Sequence, residues 1–411
     1  MPNRCPLALL ALFSTLIAGC GRSSPHAETP AAIPLDVPTR QGAHLPRLSG
    51  TDDGPWLSWV EPAAGGGHAL RYAVLEDGAW STPITVAAGA DWFVNWADFP
   101  SVVPLPDGAA AAHWLVRSGD APYAYDVAIA VSPNGRDWGD PVAPHRDGTL
   151  TEHGFVSLFA DGDGIGAVWL DGRRMAGAAA GGHDVHGGAA GEAMTLRAGR
   201  VSRSGRLDSE TELDARTCDC CQTAAVLADA GPVVFYRDRS DEELRDIRVV
   251  RRQDGAWSEP ELVAADRWQI AGCPVNGPAA AAGGSRVVVA WFTAADNRPR
   301  VLAAFSDDGA RSFGPPGTVA EGGVSGRVDV VLLTDGDAVV SWVAGGEDGA
   351  EIRYRRVSAD GSGGAPLTIA RIAASRSAGF PQLSRGGDGL VFAWTAPGEP
   401  ADVLSATVPV P

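Results

Sequence analysis

The chain has 411 residues, 45 % of them hydrophobic, which excludes an intrinsically disordered protein. Its net charge is −17 with no basic stripe, which excludes nucleic acid as a partner. Glycine (52 residues) and proline (30 residues) are abundant, as expected for many short strands joined by tight turns.

At the N-terminus Arg4 precedes an apolar stretch from Leu7 to Ile17. That stretch is too short to span a bilayer and suits the core of a signal peptide. It ends in Ile17-Ala18-Gly19-Cys20, which resembles the lipobox of bacterial lipoproteins. The resemblance implies lipidation of Cys20 and a membrane partner through that anchor. It places the protein in the cell envelope, and Gly21 after the cysteine favours the outer membrane, on its periplasmic or surface face. Ordinary secretory cleavage is the alternative. Residues 1–19 thus read as a leader, 20–32 as the lipidated cysteine and a polar tether, and 33–411 as a single domain.

From there on an aromatic residue recurs at the end of a short apolar run. The positions are Trp59, Trp114, Trp169, Tyr236, Trp291, Trp342 and Trp394, at intervals of 55, 55, 67, 55, 51 and 52 residues. A period of this size marks a repeat architecture. Each unit reads as four strands: an inner piece, the aromatic strand, a third strand, and a fourth that usually begins at proline. Asp107-Gly108, Asp163-Gly164 and Asp335-Gly336 turn the first strand into the second; Asp77-Gly78, Asp254-Gly255 and Asp360-Gly361 turn the third into the fourth. The fourth strands open at Pro83, Pro141, Pro260, Pro316 and Pro366, and proline suits an edge strand because it cannot donate to the ladder. The last unit lacks a fourth strand, and IPLDVP with Pro34 near the N-terminus supplies one. The reading is an all-β, seven-bladed β-propeller whose terminal blade is closed by the N-terminal strand. A six-bladed propeller is the alternative.

Ser306-Asp307-Asp308-Gly309-Ala310-Arg311-Ser312-Phe313 resembles the Asp-box of sialidase-like propellers, with Ala310 in place of glycine and Phe313 in place of tryptophan. Ser132, Asn134 and Trp138 form a shorter version. The resemblance implies a structural role for Ser132, Asn134, Trp138, Ser306, Asp308 and Phe313, opposite the ligand face.

The remaining loops share the other end of the blades. The link into blade four is Cys218-Asp219-Cys220-Cys221, and the link into blade five holds Cys273 and Asn276. Adjacent blades bring these cysteines together. Disulfides suit an oxidising compartment; Cys218–Cys273 with a vicinal Cys220–Cys221 pair is one connectivity. A soft-metal thiolate site, for Cu(I) or zinc, and a redox dithiol are the others. The same face carries His153, Asp171, Arg173, Arg174, Arg237, Asp238, Arg239, Glu243, Arg245 and Arg298. These arginines either meet an anionic ligand or pair with neighbouring acids. His183 and His186 are either metal donors or part of a solvated glycine-rich loop.

The sialidase resemblance implies an arginine clamp, a tyrosine–glutamate nucleophile pair and an aspartic acid/base. The candidates are Arg173, Arg237, Arg239, Arg245 and Arg298 for the clamp, and Asp171, Tyr236, Asp238 and Glu243 for the chemistry. Tyr236 occupies the slot that holds tryptophan in the other units, so it is a core aromatic or a nucleophile. The family's Arg-Ile-Pro motif has no counterpart; the nearest text is His44-Leu45-Pro46-Arg47. Three functions stay open: a monomeric surface propeller that binds a glycan, another anionic group or an envelope protein, with the cysteines as a staple; a sialidase-type hydrolase; and a thiolate metal or redox site, the soft metal being the one cofactor candidate.

Overall fold

The aromatic residues that set the period are all buried in the second strands of seven antiparallel sheets. The computed structural model describes Met1 and residues 32–50, 54–176, 193–346, 349–396 and 398–411. The leader, Cys20, the tether up to residue 31, and the His183 and His186 loop lie outside the described residues.

Blade one pairs His44–Ser49, Trp56–Pro62, His68–Glu76 and Ile84–Gly89 in order. Blade two has Ser101–Pro104, Ala110–Arg117 and Tyr125–Ser132. Blade three has His153–Asp161, Gly164–Asp171, Met194–Ser202 and Leu207–Thr217. Blade four has Ala224–Ala228, Gly231–Arg237, Ile247–Gln253 and the short Glu261–Leu262. Blades five and six run Ala279–Gly283 to Gly317–Glu321 and Val324–Leu332 to Leu367–Ile372. Blade seven pairs Gln382–Gly386, Gly389–Ala396 and Asp402–Pro409 with Ile33–Leu35 from the other end of the chain. The count is seven, not six, and the expected terminal closure forms.

Four of the expected prolines immediately precede their fourth strands, which start at Ile84, Glu261, Gly317 and Leu367. Blade two departs from the expectation. After Pro141 the chain makes a single bridge, Val142 to Ile129, and then leaves the sheet. The residues freed in this way include His145 and Asp147.

The Asp-box turns are locked by their own side chains. Asp308 accepts the backbone N–H groups of Arg311 and Ser312 at 2.9 Å each, and the Ser306 hydroxyl at 2.8 Å. Those bonds and the Ser312 hydroxyl hold its carboxyl down at about 2. Asn134 accepts the N–H groups of Arg136 and Asp137 in the same way. Phe313 packs edge-on against Phe235, and Trp138 edge-on against Tyr72.

All seven inner strands or the links entering them line a cavity of about 110 Å³, room for a few water molecules. Arg47, Ser101, Ser157, Ala224, Ala279, Asp329 and Gln382 come one from each blade. Arg47, from the segment nearest the missing Arg-Ile-Pro motif, donates to Gln382 at 2.9 Å.

Candidate functional site

The blade-to-blade links and the second-to-third-strand loops meet at the end away from the Asp-boxes. The rim arginines there are already paired. Arg173 takes Asp171 at 2.7 Å and Glu210 at 2.6 Å; Arg174 takes Glu212 at 2.6 Å. Arg239 bonds Asp219 at 2.6 Å and Glu243 at 2.9 Å, and Arg245 bonds Glu243 at 2.6 Å. The exposed Arg298 pairs with Glu321. Arg237 is fully buried and spends its donors on the carbonyls of Asn276, Arg245 and Phe292, with its Cζ 5.0 Å from the centre of the Trp268 ring. It braces the links around blades four and five. These arginines therefore form internal ties, and the expected clamp for a substrate carboxylate is not assembled from them.

The candidate chemical groups are tied in the same way. The Tyr236 hydroxyl donates to Asp214, and burial followed by that carboxylate raises its pKa far above the ordinary value. A phenol so held is a poor nucleophile. Asp238 bonds Arg248 at 2.6 Å, and burial raises its pKa. Asp171 accepts Arg173 and the Trp169 indole at 2.9 Å. Asn276 ties the link into blade five to the first strand of blade six: its amide donates to the Pro274 and Ser325 carbonyls and its oxygen accepts from Arg327 N–H at 2.7 Å.

The cysteines do converge. Cys220 bonds to Cys273 across the links into blades four and five, in place of the expected Cys218–Cys273 and vicinal pairs. Cys218 and Cys221 remain buried thiols. A glycine lets these links touch: a Cβ on Gly277 would stand 2.0 Å from the Gln222 carbonyl oxygen. Met175, Met194 and the four cysteines, every sulfur residue after residue 32, share one core cluster. Burial opposes ionisation of Cys221, but Cys218 and the guanidiniums of Arg237 and Arg245 overcome it and lower its pKa. Burial and Cys221 push Cys218 up.

Beside the third blade stands a group that the sequence reading touched only at His153 and Asp171. His145 and His153 stack in parallel with ring centroids 3.9 Å apart. Asp147 Oδ2 lies 3.3 Å from His145 Nδ1 and 3.3 Å from His153 Nε2. Asp126 lies on the other side of both rings, 3.3 Å from His153 Nδ1. Burial works against a charge on His153, but Asp126 and Asp147 raise its pKa to about 10. Burial followed by His153 lowers that of His145. The sequence signal was His145-Arg146-Asp147 at the end of the expected fourth strand of blade two.

Next to this group the Tyr125 hydroxyl lies 2.9 Å from Asp98 and 2.7 Å from Glu152. Burial raises Asp98 to about 7 and Glu152 to about 8. Asp98 also borders the axial cavity.

No family model and no curated protein matches the sequence. Solved structures do. An ulvan lyase from a polysaccharide lyase family gives a TM-score of 0.52 at 10 % identity, over 91 % of this chain and 93 % of that one. The α-L-arabinofuranosidase of Fusarium graminearum, in complex with arabinobiose, gives 0.49 at 13 % identity, over 78 % and 95 %. The NanB sialidase of Streptococcus pneumoniae gives 0.46 at 8 % identity, over 92 % and 94 %. The likeness is one of fold. Sialidases and other carbohydrate-active propellers are among the structures that this chain resembles.

Proposed function

We propose that the protein is an envelope-anchored recognition propeller that holds a glycan or a partner protein at its loop-rich face without sialidase-type cleavage. One observation carries this reading: the rim arginines are paired internally and Tyr236 is sealed against Asp214. Such ties hold the loops in place before a ligand arrives, which lowers the ordering cost of binding. They also leave no free guanidinium fork among these residues for a substrate carboxylate. The glycan half of the proposal draws on the polysaccharide lyase that shares the fold. The anchor at Cys20 draws on the lipobox-like leader.

The mature lipoprotein in detergent, offered fluorogenic sialosides and arabinosides and soluble ulvan, is expected to release nothing. Passed over a panel of immobilised polysaccharides and envelope extracts, it is expected to retain one ligand class. Turnover that disappears in Tyr236→Phe, a change that keeps the ring in its slot, would establish the hydrolase reading instead.

A further inference from the structure

We propose that His153, Asp147 and Asp171, with His145 stacked on His153 beside them, bind a divalent transition-metal ion of the zinc class. The residues come from three places in the chain. His145 and Asp147 lie in the link that leaves blade two early. His153 opens the inner strand of blade three, and Asp171 closes the adjacent strand directly opposite it in register. His153 and Asp171 are fully buried, and His145 is 7 % exposed.

The distances fit an ion better than direct hydrogen bonds. Both histidines approach Asp147 Oδ2 at 3.3 Å, and His153 Nε2 lies 3.8 Å from Asp171 Oδ2. Two donors on a tetrahedral zinc at about 2.0–2.1 Å stand roughly 3.3 Å apart. Asp147 Oδ2 and His153 Nε2 are buried and have no hydrogen-bond partner, and nor do His145 Nε2 and Asp126 Oδ1 behind them. Buried polar atoms almost always find a partner, so four such atoms in one cluster point to a ligand.

The supporting contacts are those a metal site uses. The far nitrogen of His153 lies 3.3 Å from both the Tyr125 carbonyl and Asp126, which fixes the ring with Nε2 towards Asp147. Asp126 also stands 3.9 Å from His145 Nε2. Thr149 N–H holds the other Asp147 oxygen at 2.9 Å; Arg173 Nε holds Asp171 Oδ1 at 2.7 Å, while Arg173 Nη2 at 2.7 Å and the Trp169 indole at 2.9 Å both donate to Asp171 Oδ2, the oxygen that faces His153. Arg173 Nη2 is 3.4 Å from Asp147 Oδ2, so it shares the acidic set and remains tied to Glu210.

Charge points the same way. Asp126, Asp147, Asp171, Glu210 and Glu212 meet only Arg173, Arg174 and Arg197, which leaves two negative charges in excess. A divalent cation balances this; a single proton on His153 leaves one negative charge. An imidazole among the carboxylates favours a borderline metal over calcium or magnesium, which prefer all-oxygen cages.

The test uses the mature protein in detergent, stripped with a chelator and titrated with Zn²⁺ or Co²⁺. One equivalent is expected to bind and to raise the Tm. The Co²⁺ form should show visible d–d bands without a thiolate-to-metal charge-transfer band. Cys218→Ser/Cys221→Ser should keep the ion. Asp147→Asn and His153→Gln should lose it, and Asp126→Asn should weaken it by about 10–100-fold. A stripped protein that takes up no ion and keeps its Tm unchanged would overturn the proposal and leave a His153 imidazolium paired with its aspartates. Thiolate charge-transfer, or loss of the ion in the cysteine variant, would overturn it in favour of the sulfur cluster. Neither readout depends on a glycan, so failure here is distinct from failure of the recognition reading.

Discussion

Tyr125 has one hydroxyl proton and two carboxyl groups within hydrogen-bond reach of it, Asp98 and Glu152. The phenol can donate to only one of them, so the other contact requires a protonated carboxyl. Burial holds Asp98 at about 7 against an ordinary 3.8. The folded state thus keeps a proton that the unfolded chain gives up between about pH 4 and about pH 7. Stability from this group is full below that window and is lost as the pH rises through it. In Asp98→Asn the amide oxygen can still accept the Phe155 N–H, while its NH₂ serves Tyr125. Urea midpoints at about pH 5 and about pH 8 should differ less in Asp98→Asn than in the parent; an equal difference would place the proton elsewhere. Gly154 belongs to the same arrangement, since a Cβ there would stand 1.9 Å from Asp98 Oδ2.

At the level of elements, the links around blades four and five carry the densest set of ties. Arg237 bridges three carbonyls there, and Cys220–Cys273 closes a span of 53 residues. A cross-link over such a span stabilises a fold by about 4 kcal/mol in the chain-entropy model. Denatured, unreduced protein is therefore expected to titrate two thiols, Cys218 and Cys221, and reduction should lower its unfolding midpoint. Four thiols with a bound soft metal would replace the staple by a thiolate site. The convergence of these cysteines was legible in the sequence, because both groups stand in links into adjacent blades. Their pairing was not, since four cysteines permit three connectivities and spacing does not choose among them. The histidine cluster was half legible. His153 and Asp171 stood out beside charged neighbours, whereas Asp126 lies at the start of a third strand, where alternation reads as ordinary surface. The link text DPVAPH reads as a strand, and only packing against His153 shows that it turns away after Val142.

For the molecule as a whole, the repeat was legible because the blades reuse the same parts: an aromatic in every second strand, and in most blades an Asp-Gly or Asn-Gly hairpin and a proline-led edge. Closure adds Ile33–Leu35 to the edge of Asp402–Pro409. Removing residues 33–35 uncovers that edge, and an uncovered edge pairs with other chains. The truncated protein is expected to unfold at a lower temperature and to self-associate in light scattering; a monomer of unchanged Tm would show that the ring holds without this strand. The Thr39 hydroxyl already reaches Asp402, 363 residues away in sequence. A chain that emerges from the ribosome with its N-terminus first therefore carries Ile33–Leu35 without its partner until Asp402–Pro409 has been made. Loop closure over such a distance comes late and slowly. Throughout that interval the nascent chain exposes a sticky edge, so its need for a chaperone should be set by the time required to reach Asp402–Pro409 rather than by how fast any single blade folds.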